Sequence, residues 1–210
     1  GAFSIGAALR GYKAIGLSWD QRNQQVARQR ALMCGAKQAE FEIADVRRLH
    51  ERTDFYGNFE VAICFENIEH ILDDRKLMRD IARVLKPGGY LFLTTPYLKF
   101  QLMTSGDAGP FSSTEDGGHV RRGYTKAMLE ELCTDAGLIL DAQSFCSGFL
   151  SQKITILLRW LSRIHPLFGW AVVLPLRPVP PILDRIITPL LNYPYFSICI
   201  EAYKPRLPKE

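Results

Sequence analysis

The sequence predicts an α/β protein built on a doubly wound, mostly parallel sheet. Three observations carry this expectation. Short apolar runs of strand length alternate with helical stretches, turn residues fall at the junctions, and FEVAICF at 59–65 is apolar enough for a strand covered on both faces. Residues 2–9 (AFSIGAAL) read as a short helix entered from Gly1, and 12–17 (YKAIGL) as a short buried strand. Asp20 is placed to cap the next helix, with Val26, Ala27, Arg30, Ala31 and Met33 on a mixed amphipathic face and Gly35 at its end. Residues 41–44 (FEIA) form a second strand that ends at Asp45.

The third strand, 59–65, is followed by a helix from Asp73 or Asp74. Leu77, Met78, Ile81, Ala82 and Leu85 fall at helical spacing, and Lys86-Pro87-Gly88-Gly89 stops the helix before a strand over 90–94. From 99 to 122 the composition turns to Gly, Ser, Thr and Asp, a long loop of the length that usually carries function. Thr125 caps a helix through Ala136, with Met128, Leu129 and Leu132 inward and Gly137 at its end, and a strand follows over 138–145. Residues 151–192 then break the alternation with apolar helical stretches cut by Pro175, Pro178, Pro180 and Pro181, before a last strand at 195–202. The expectation is one domain over 1–210, with 151–192 an apolar helical insertion or lid ahead of the last strand.

The 210 residues are 47% apolar and 23% charged, which excludes disorder, collagen and a small disulfide scaffold. A net charge of +4 is too small to mark nucleic acid as the main partner. The basic excess belongs to residues 151–210, which hold eight basic and three acidic side chains. Cys34, Cys64, Cys133, Cys146 and Cys199 show no CxxC or Cys/His spacing, so they read as reduced core thiols in a cytoplasmic protein, and no metal ligand set is read. No basic-then-apolar leader opens the chain, which begins at Gly1.

In a doubly wound sheet the carboxyl ends of neighbouring strands line one crevice, so residues just after each strand are candidate ligand contacts. Gly1 stands where a turn enters a helix, whose N-terminus offers free N–H groups to an anionic group. Ser18, Trp19 and Asp20 follow the next strand and suit ribose hydroxyls, and Asp45, with Val46 beside it, can accept from an adenine amine. Cys64, Phe65 and the segment through His70 end the strand after that.

These residues resemble the class I S-adenosylmethionine-dependent methyltransferases. Gly1-Ala2-Phe3-Ser4 is similar to the end of that family's glycine-rich cofactor loop, and FEIADVRRL to the segment presenting an Asp to adenine. FEVAICFENIEHI at 59–71 and RVLKPGGYLFLTTP at 83–96 are similar to its fourth and fifth strands. GGHVRRGYT resembles the loop of members that act on small molecules or glycolipid precursors. The resemblance implies a Rossmann-like sheet with an antiparallel last strand, and S-adenosylmethionine as cofactor. The family's first strand and first glycines are missing ahead of Gly1, so the chain is expected to be a fragment of a longer reading frame. Ser18 stands where the family usually has an acidic residue, with Asp20 two positions on.

For chemistry, His119 in its glycine-flanked loop is the first choice of base and His70 the second, each weighed against an ordinary packing or anchoring role. Glu66 is a candidate acceptor contact, with a surface carboxylate as the bland alternative for it and for Glu69. Arg121 and Arg122 could fork onto a phosphate or carboxylate, or be solvated charges. Trp19 could stack on the adenosyl group and Cys64 pack beside it, and either could be core. The 151–192 stretch reads as a lid over the sheet or as an interfacial element at the inner face of a membrane, with Trp160, Phe168 and Trp170 in the headgroup zone and Arg159, Arg163 and Arg177 on anionic lipid. The expected function is methyl transfer to a small or lipid-linked, partly hydrophobic acceptor. The alternative is a non-catalytic cofactor-binding or membrane-associated scaffold, which the missing strand and Ser18 favour.

Overall fold

The computed structural model describes residues 1–103 and 105–206, and the chain packs as two compact units, Gly1–Asp54 and Phe55–Glu210. The first unit runs α1 (Ala2–Ala8), β1 (Ala14–Ser18), α2 (Gln21–Cys34) and β2 (Ala39–Ile43), followed by a 3-10 turn at Val46–Glu51. β1 and β2 pair in parallel, with Ala14 opposite Ala39 and Ser18 opposite Ile43. Asp20 caps α2 by accepting from the Arg22 and Asn23 amides, and Gly35 closes it, as expected from the sequence. The inner face of α2 is different from the expected one: Val26 is exposed and Met33 is 86% exposed, whereas Gln24, Ala27 and Ala31 are buried. Small side chains let the helix sit close to the strand pair, and the Gln24 amide uses that closeness to donate to the carbonyls of Gly16 and Glu42, tying β1 to β2. Ile5, Ala8, Ala27, Ala31, Ala36 and Phe41 make up the apolar cluster. A Cβ at Gly1 would stand 2.6 Å from the Ala27 Cβ, so close packing, more than turn geometry, demands glycine there.

The second unit holds β3 (Phe59–Phe65), α3 (Asp74–Val84), β4 (Leu85–Pro96), α4 (Lys126–Asp135), β5 (Ile139–Cys146) and β6 (Ser197–Tyr203). Its sheet order is β3-β4-β6-β5, with β3 and β4 parallel and β6 antiparallel to both neighbours. The antiparallel last strand is therefore as expected. Lys86-Pro87-Gly88-Gly89 ends α3, but β4 already starts at Leu85. The register jumps from Phe59 opposite Leu85 to Val61 opposite Tyr90, so the four residues bulge out of the ladder. Thr125 caps α4 by accepting from the Met128 amide. Leu77, Met78, Leu85, Leu91, Leu129, Ile198 and Ile200 fill the core between sheet and helices.

Between β5 and β6 lie α5 (Phe149–Ser162), α6 (Pro166–Val173) and α7 (Pro180–Leu190). Asp184 of α7 is buried and caps the start of α5, accepting from the amides of Leu150 (2.7 Å) and Ser151 (3.1 Å) and from the Ser151 hydroxyl (2.6 Å). Among the described residues no single helix is long and apolar enough to cross a membrane. Pro166–Leu176 and Pro180–Leu190 together form an apolar pair bent by 78°.

Candidate functional site

In the first unit the residues read as cofactor contacts leave a common edge. β1 and β2 are paired neighbours running the same way, so Trp19 and Asp20 after one strand and Asp45 and Val46 after the other emerge together. The Trp19 indole is 68% exposed, a free flat apolar surface rather than a core side chain. Ser18 accepts from the Asp20 amide, and Asp20 itself is occupied as the α2 cap, so neither acts there as a wholly free acceptor. Asp45 is held by the Arg47 guanidinium at 2.8 Å to each carboxylate oxygen, and it accepts from the Arg47 amide. The guanidinium hydrogen bond, chiefly, keeps its carboxyl below the usual carboxylate range, so it is an ionised acceptor. The helix after Gly1 has seven residues, and no side chain caps its N-terminus.

In the second unit β3 ends at Phe65, which is half-buried, and the next residue, Glu66, is exposed with φ of +48°. Its amide donates to the Thr94 carbonyl at 2.8 Å. A non-glycine residue in the left-handed region at a strand end is strained, as functional positions often are. Cys64 is buried, and desolvation pushes its thiol up to about 12, so it is an inert packing group. The 3-10 turn Ile68–His70 follows, and here the sequence expectation fails: Glu69 is not a surface carboxylate but 1% exposed. Its Oε2 accepts from the buried Thr95 hydroxyl at 3.1 Å, and burial pushes its carboxyl up to about 7. His70 places Nδ1 2.9 Å from the Gly118 carbonyl, which can only accept, so Nδ1 carries the proton and Nε2 presents a lone pair. That Nε2 lies 3.8 Å from Glu69 Oε1. The His119 ring stands edge-on to His70 with centroids 4.6 Å apart, and burial followed by the His70 neighbour holds its imidazole below the usual range.

Glu69, His70 and His119 form a group that the sequence reading did not contain, with one ligand atom from each lying within 4.8 Å of the others. The adjacency of a Glu and a His just after a strand was visible. That the turn would bury the Glu was not.

Arg121 and Arg122 are anchors rather than free forks. Arg121 pairs with Asp74 and donates to the carbonyls of Ile71 (2.7 Å) and Leu72 (2.8 Å). Arg122 donates to the Phe100 carbonyl at 3.0 Å and lies over the Phe100 ring. A loop of this length must tie its own ends down, and the two guanidiniums do so. The thiols also depart from expectation. Cys34 and Cys146 are exposed, and strand pairing brings Cys146 Sγ to 3.3 Å from Cys199 Sγ, a neighbour relation that linear spacing cannot show.

The long loop lines a cavity of about 610 Å³ with Phe100, Phe111 and Phe196 as its apolar walls and Asp107, Ser112 and His119 as polar groups. Such a mixed lining suits a ring or chain bearing a hydroxyl or similar group.

A family model described as a methyltransferase domain matches residues 1–143. The chain is 32% identical over 95 residues to the ubiquinone biosynthesis O-methyltransferase of Marinobacter nauticus, a match that covers 45% of this chain and 40% of that protein. The match thus spans well under half the length of that curated relative. Among solved structures it is similar to the [4+2]-cyclase SpnF, with a TM-score of 0.62 and 21% identity over 99% of this chain and 73% of that one. It is also similar to phosphoethanolamine N-methyltransferase 2 of Haemonchus contortus in complex with S-adenosyl-L-methionine. There the TM-score is 0.62 and the identity 17%, over 98% of this chain and 46% of that one.

Proposed function

The chain belongs to the methyltransferase-domain family, and from that premise we propose that it transfers a methyl group from S-adenosylmethionine to a small or lipid-linked, partly hydrophobic acceptor. The observation that carries the acceptor class is the cavity: three phenylalanines around His119, Ser112 and Asp107 favour an apolar body with a polar reacting end. The cofactor brings an electrophilic methyl group on its sulfonium, so the chain's task is to align, desolvate and hold. The edge bearing Trp19 and Asp45 suits an adenosyl group, the indole as a stacking surface and the ionised carboxylate as acceptor for the amine. On the acceptor side His119 is the candidate base, since its imidazole is held below the usual range and is neutral near pH 7.

Isothermal titration with S-adenosylhomocysteine tests the cofactor half. Asp45→Ala is expected to weaken binding by on the order of 1–3 kcal/mol, the loss of one hydrogen bond to an ionised group. Asp45→Asn, which still caps the turn at Val46–Glu51, separates that loss from a folding defect. An unchanged dissociation constant in both variants would place the adenine elsewhere. A cell extract supplied with methyl-labelled cofactor tests the reaction: a labelled small molecule or lipid is the expected product, and cofactor binding with no labelled product would favour the non-catalytic scaffold.

The lipid-linked reading has its own support in α5 to α7. Leu167, Ile182 and Leu190 are 73%, 69% and 80% exposed, beside Trp160, Phe168 and Leu174, and Arg159, Arg163 and Arg185 are exposed on the same helices. Apolar side chains interspersed with arginines suit the headgroup zone of an anionic bilayer. The protein is expected to float with phosphatidylglycerol vesicles at low salt, and Trp160→Ala with Leu167→Ala and Ile182→Ala to stay behind. Wild type remaining entirely in the lipid-free fraction would leave these helices as a lid alone.

A further inference from the structure

We propose that Glu69, His70 and His119 bind one divalent transition-metal ion. The three come from two separate segments, the turn after β3 and the long loop, and their ligand atoms converge to within 4.8 Å of one another. Two further features mark them as a prepared site rather than a chance cluster.

The first is the carboxylate. Glu69 is almost wholly buried, and among the described residues no lysine or arginine pairs with it; its Oε1 faces His70 Nε2 at 3.8 Å. A buried carboxylate is costly unless a cation or several donors meet it, and the donors here are its own backbone N–H and the Thr95 hydroxyl. A bound cation would supply the positive charge that no lysine or arginine brings to Glu69. The second is the imidazole geometry. A metal-binding histidine commonly donates its other ring N–H to a carbonyl or carboxylate, which fixes the tautomer and aims the free nitrogen. His70 does this through Nδ1 to the Gly118 carbonyl, which leaves Nε2 on the side of Glu69. Gly118 directly precedes His119, so the same hydrogen bond that orients one imidazole also positions the loop that brings the other.

The donor set selects the ion. Two imidazole nitrogens and one carboxylate favour Zn²⁺, Mn²⁺ or Fe²⁺ over Mg²⁺ or Ca²⁺, which prefer oxygen shells. Three protein ligands leave at least one coordination position for water or an acceptor oxygen, and His119 lines the cavity read above as the acceptor pocket. An ion there would lower the pKa of a bound hydroxyl and take over the part assigned to a free imidazole.

The test is titration of the chelator-treated, dialysed full chain with ZnCl₂, in the absence of cofactor and acceptor. One equivalent is expected to bind to wild type, and binding is expected to fall at least a hundredfold in His119→Ala and in His70→Ala. His165→Ala, which removes an exposed histidine of the inserted helices, is expected to bind as wild type does. Circular dichroism of each variant without metal shows that it is folded, and His119→Ala is the safer of the two because its residue lies in a loop. In the cobalt(II)-loaded chain, visible bands that change between wild type and His119→Ala are the second readout. Zn²⁺ bound no more tightly by wild type than by folded His119→Ala would overturn the site. Because neither cofactor nor acceptor is present, that result would leave the methyl-transfer reading untouched, and failure of methyl transfer would leave the metal site standing.

Discussion

Asp184→Ala is expected to cost about 3 kcal/mol and to loosen the start of α5, while Asp184→Asn costs roughly half as much. The carboxylate accepts from the Leu150 and Ser151 amides and the Ser151 hydroxyl, and Thr188 approaches it at 3.3 Å. No α5 residue can substitute for it, since the residue at the helix start is Gly148, whose absent side chain offers no cap. Removing the acid leaves amide donors of a part-buried helix end unpaired, and it does so where Gly148 already packs against Thr188 and Asp184 too closely for a side chain. Asparagine keeps one acceptor oxygen but turns an N–H toward donors, hence the intermediate cost. In a chain of this length the alanine variant should melt about 6–12 °C lower, and amide exchange at Leu150 and Ser151 should accelerate before that of β6. Unchanged exchange at those two amides would mean the cap is not held by Asp184.

Most of the fold was legible because it is carried by local chemistry. β3 spans the same residues that its apolar run marks, and Asp20 and Thr125 cap the helices that their positions announce. What failed were features set by partners distant in sequence. On α2 the apolar Val26 and Met33 point to an inner face, yet a strand pair that demands close approach selects Ala27, Ala31 and a hydrogen-bonded Gln24 instead. Asp184 is a lone acid in an apolar helix on which the sequence offers no reading, and its burial follows from the contact of α7 with the start of α5, which no periodicity encodes. The bulge at Lys86 to Gly89 is similar: the helix stop was readable, but the pairing of Leu85 with Phe59 depends on the neighbouring strand.

The candidate site divides along the same line. Trp19 and Asp45 could be proposed from the rule that ligands meet strand ends, and β1 and β2 do bring them to one edge. Glu69 could not be weighed correctly, because an acid beside a histidine on a short turn is as often solvated as buried, and only the Thr95 hydroxyl beneath it decides. Arg121 and Arg122 carry the residue type of an anion site, but a guanidinium's role is set by what it meets, here Asp74 and the carbonyls of Ile71, Leu72 and Phe100. The thiol contact between Cys146 and Cys199 needs the register of β5 against β6, in which Cys146 faces Ser197 and Cys199 faces Ser144.

Gly123→Ala is expected to cost about 3 kcal/mol or more and, on the function proposed above, to lower methyl transfer to an acceptor held by the long loop at least tenfold. Gly123 has φ of +149°, a conformation that side chains avoid, and an added Cβ would collide with the Pro96 carbonyl. That carbonyl already accepts from the Tyr124 amide at 2.9 Å, and the Tyr124 carbonyl accepts from Leu98 at 2.9 Å, so the two ends of the loop are pinned across a single glycine. Tyr124 is wholly buried and donates its hydroxyl to Asp74, the same carboxylate that holds Arg121. A methyl group at Gly123 therefore strains the backbone and also displaces Tyr124, with it Asp74 and Arg121, and through them the segment that carries His119 to the cavity. The expected signature is loss of amide protection at Tyr124 and Leu98 with protection retained in α3, together with a higher acceptor KM. Wild-type exchange at Tyr124 in a folded Gly123→Ala protein would show that the close approach of Gly123 to the Pro96 carbonyl does not hold the loop shut.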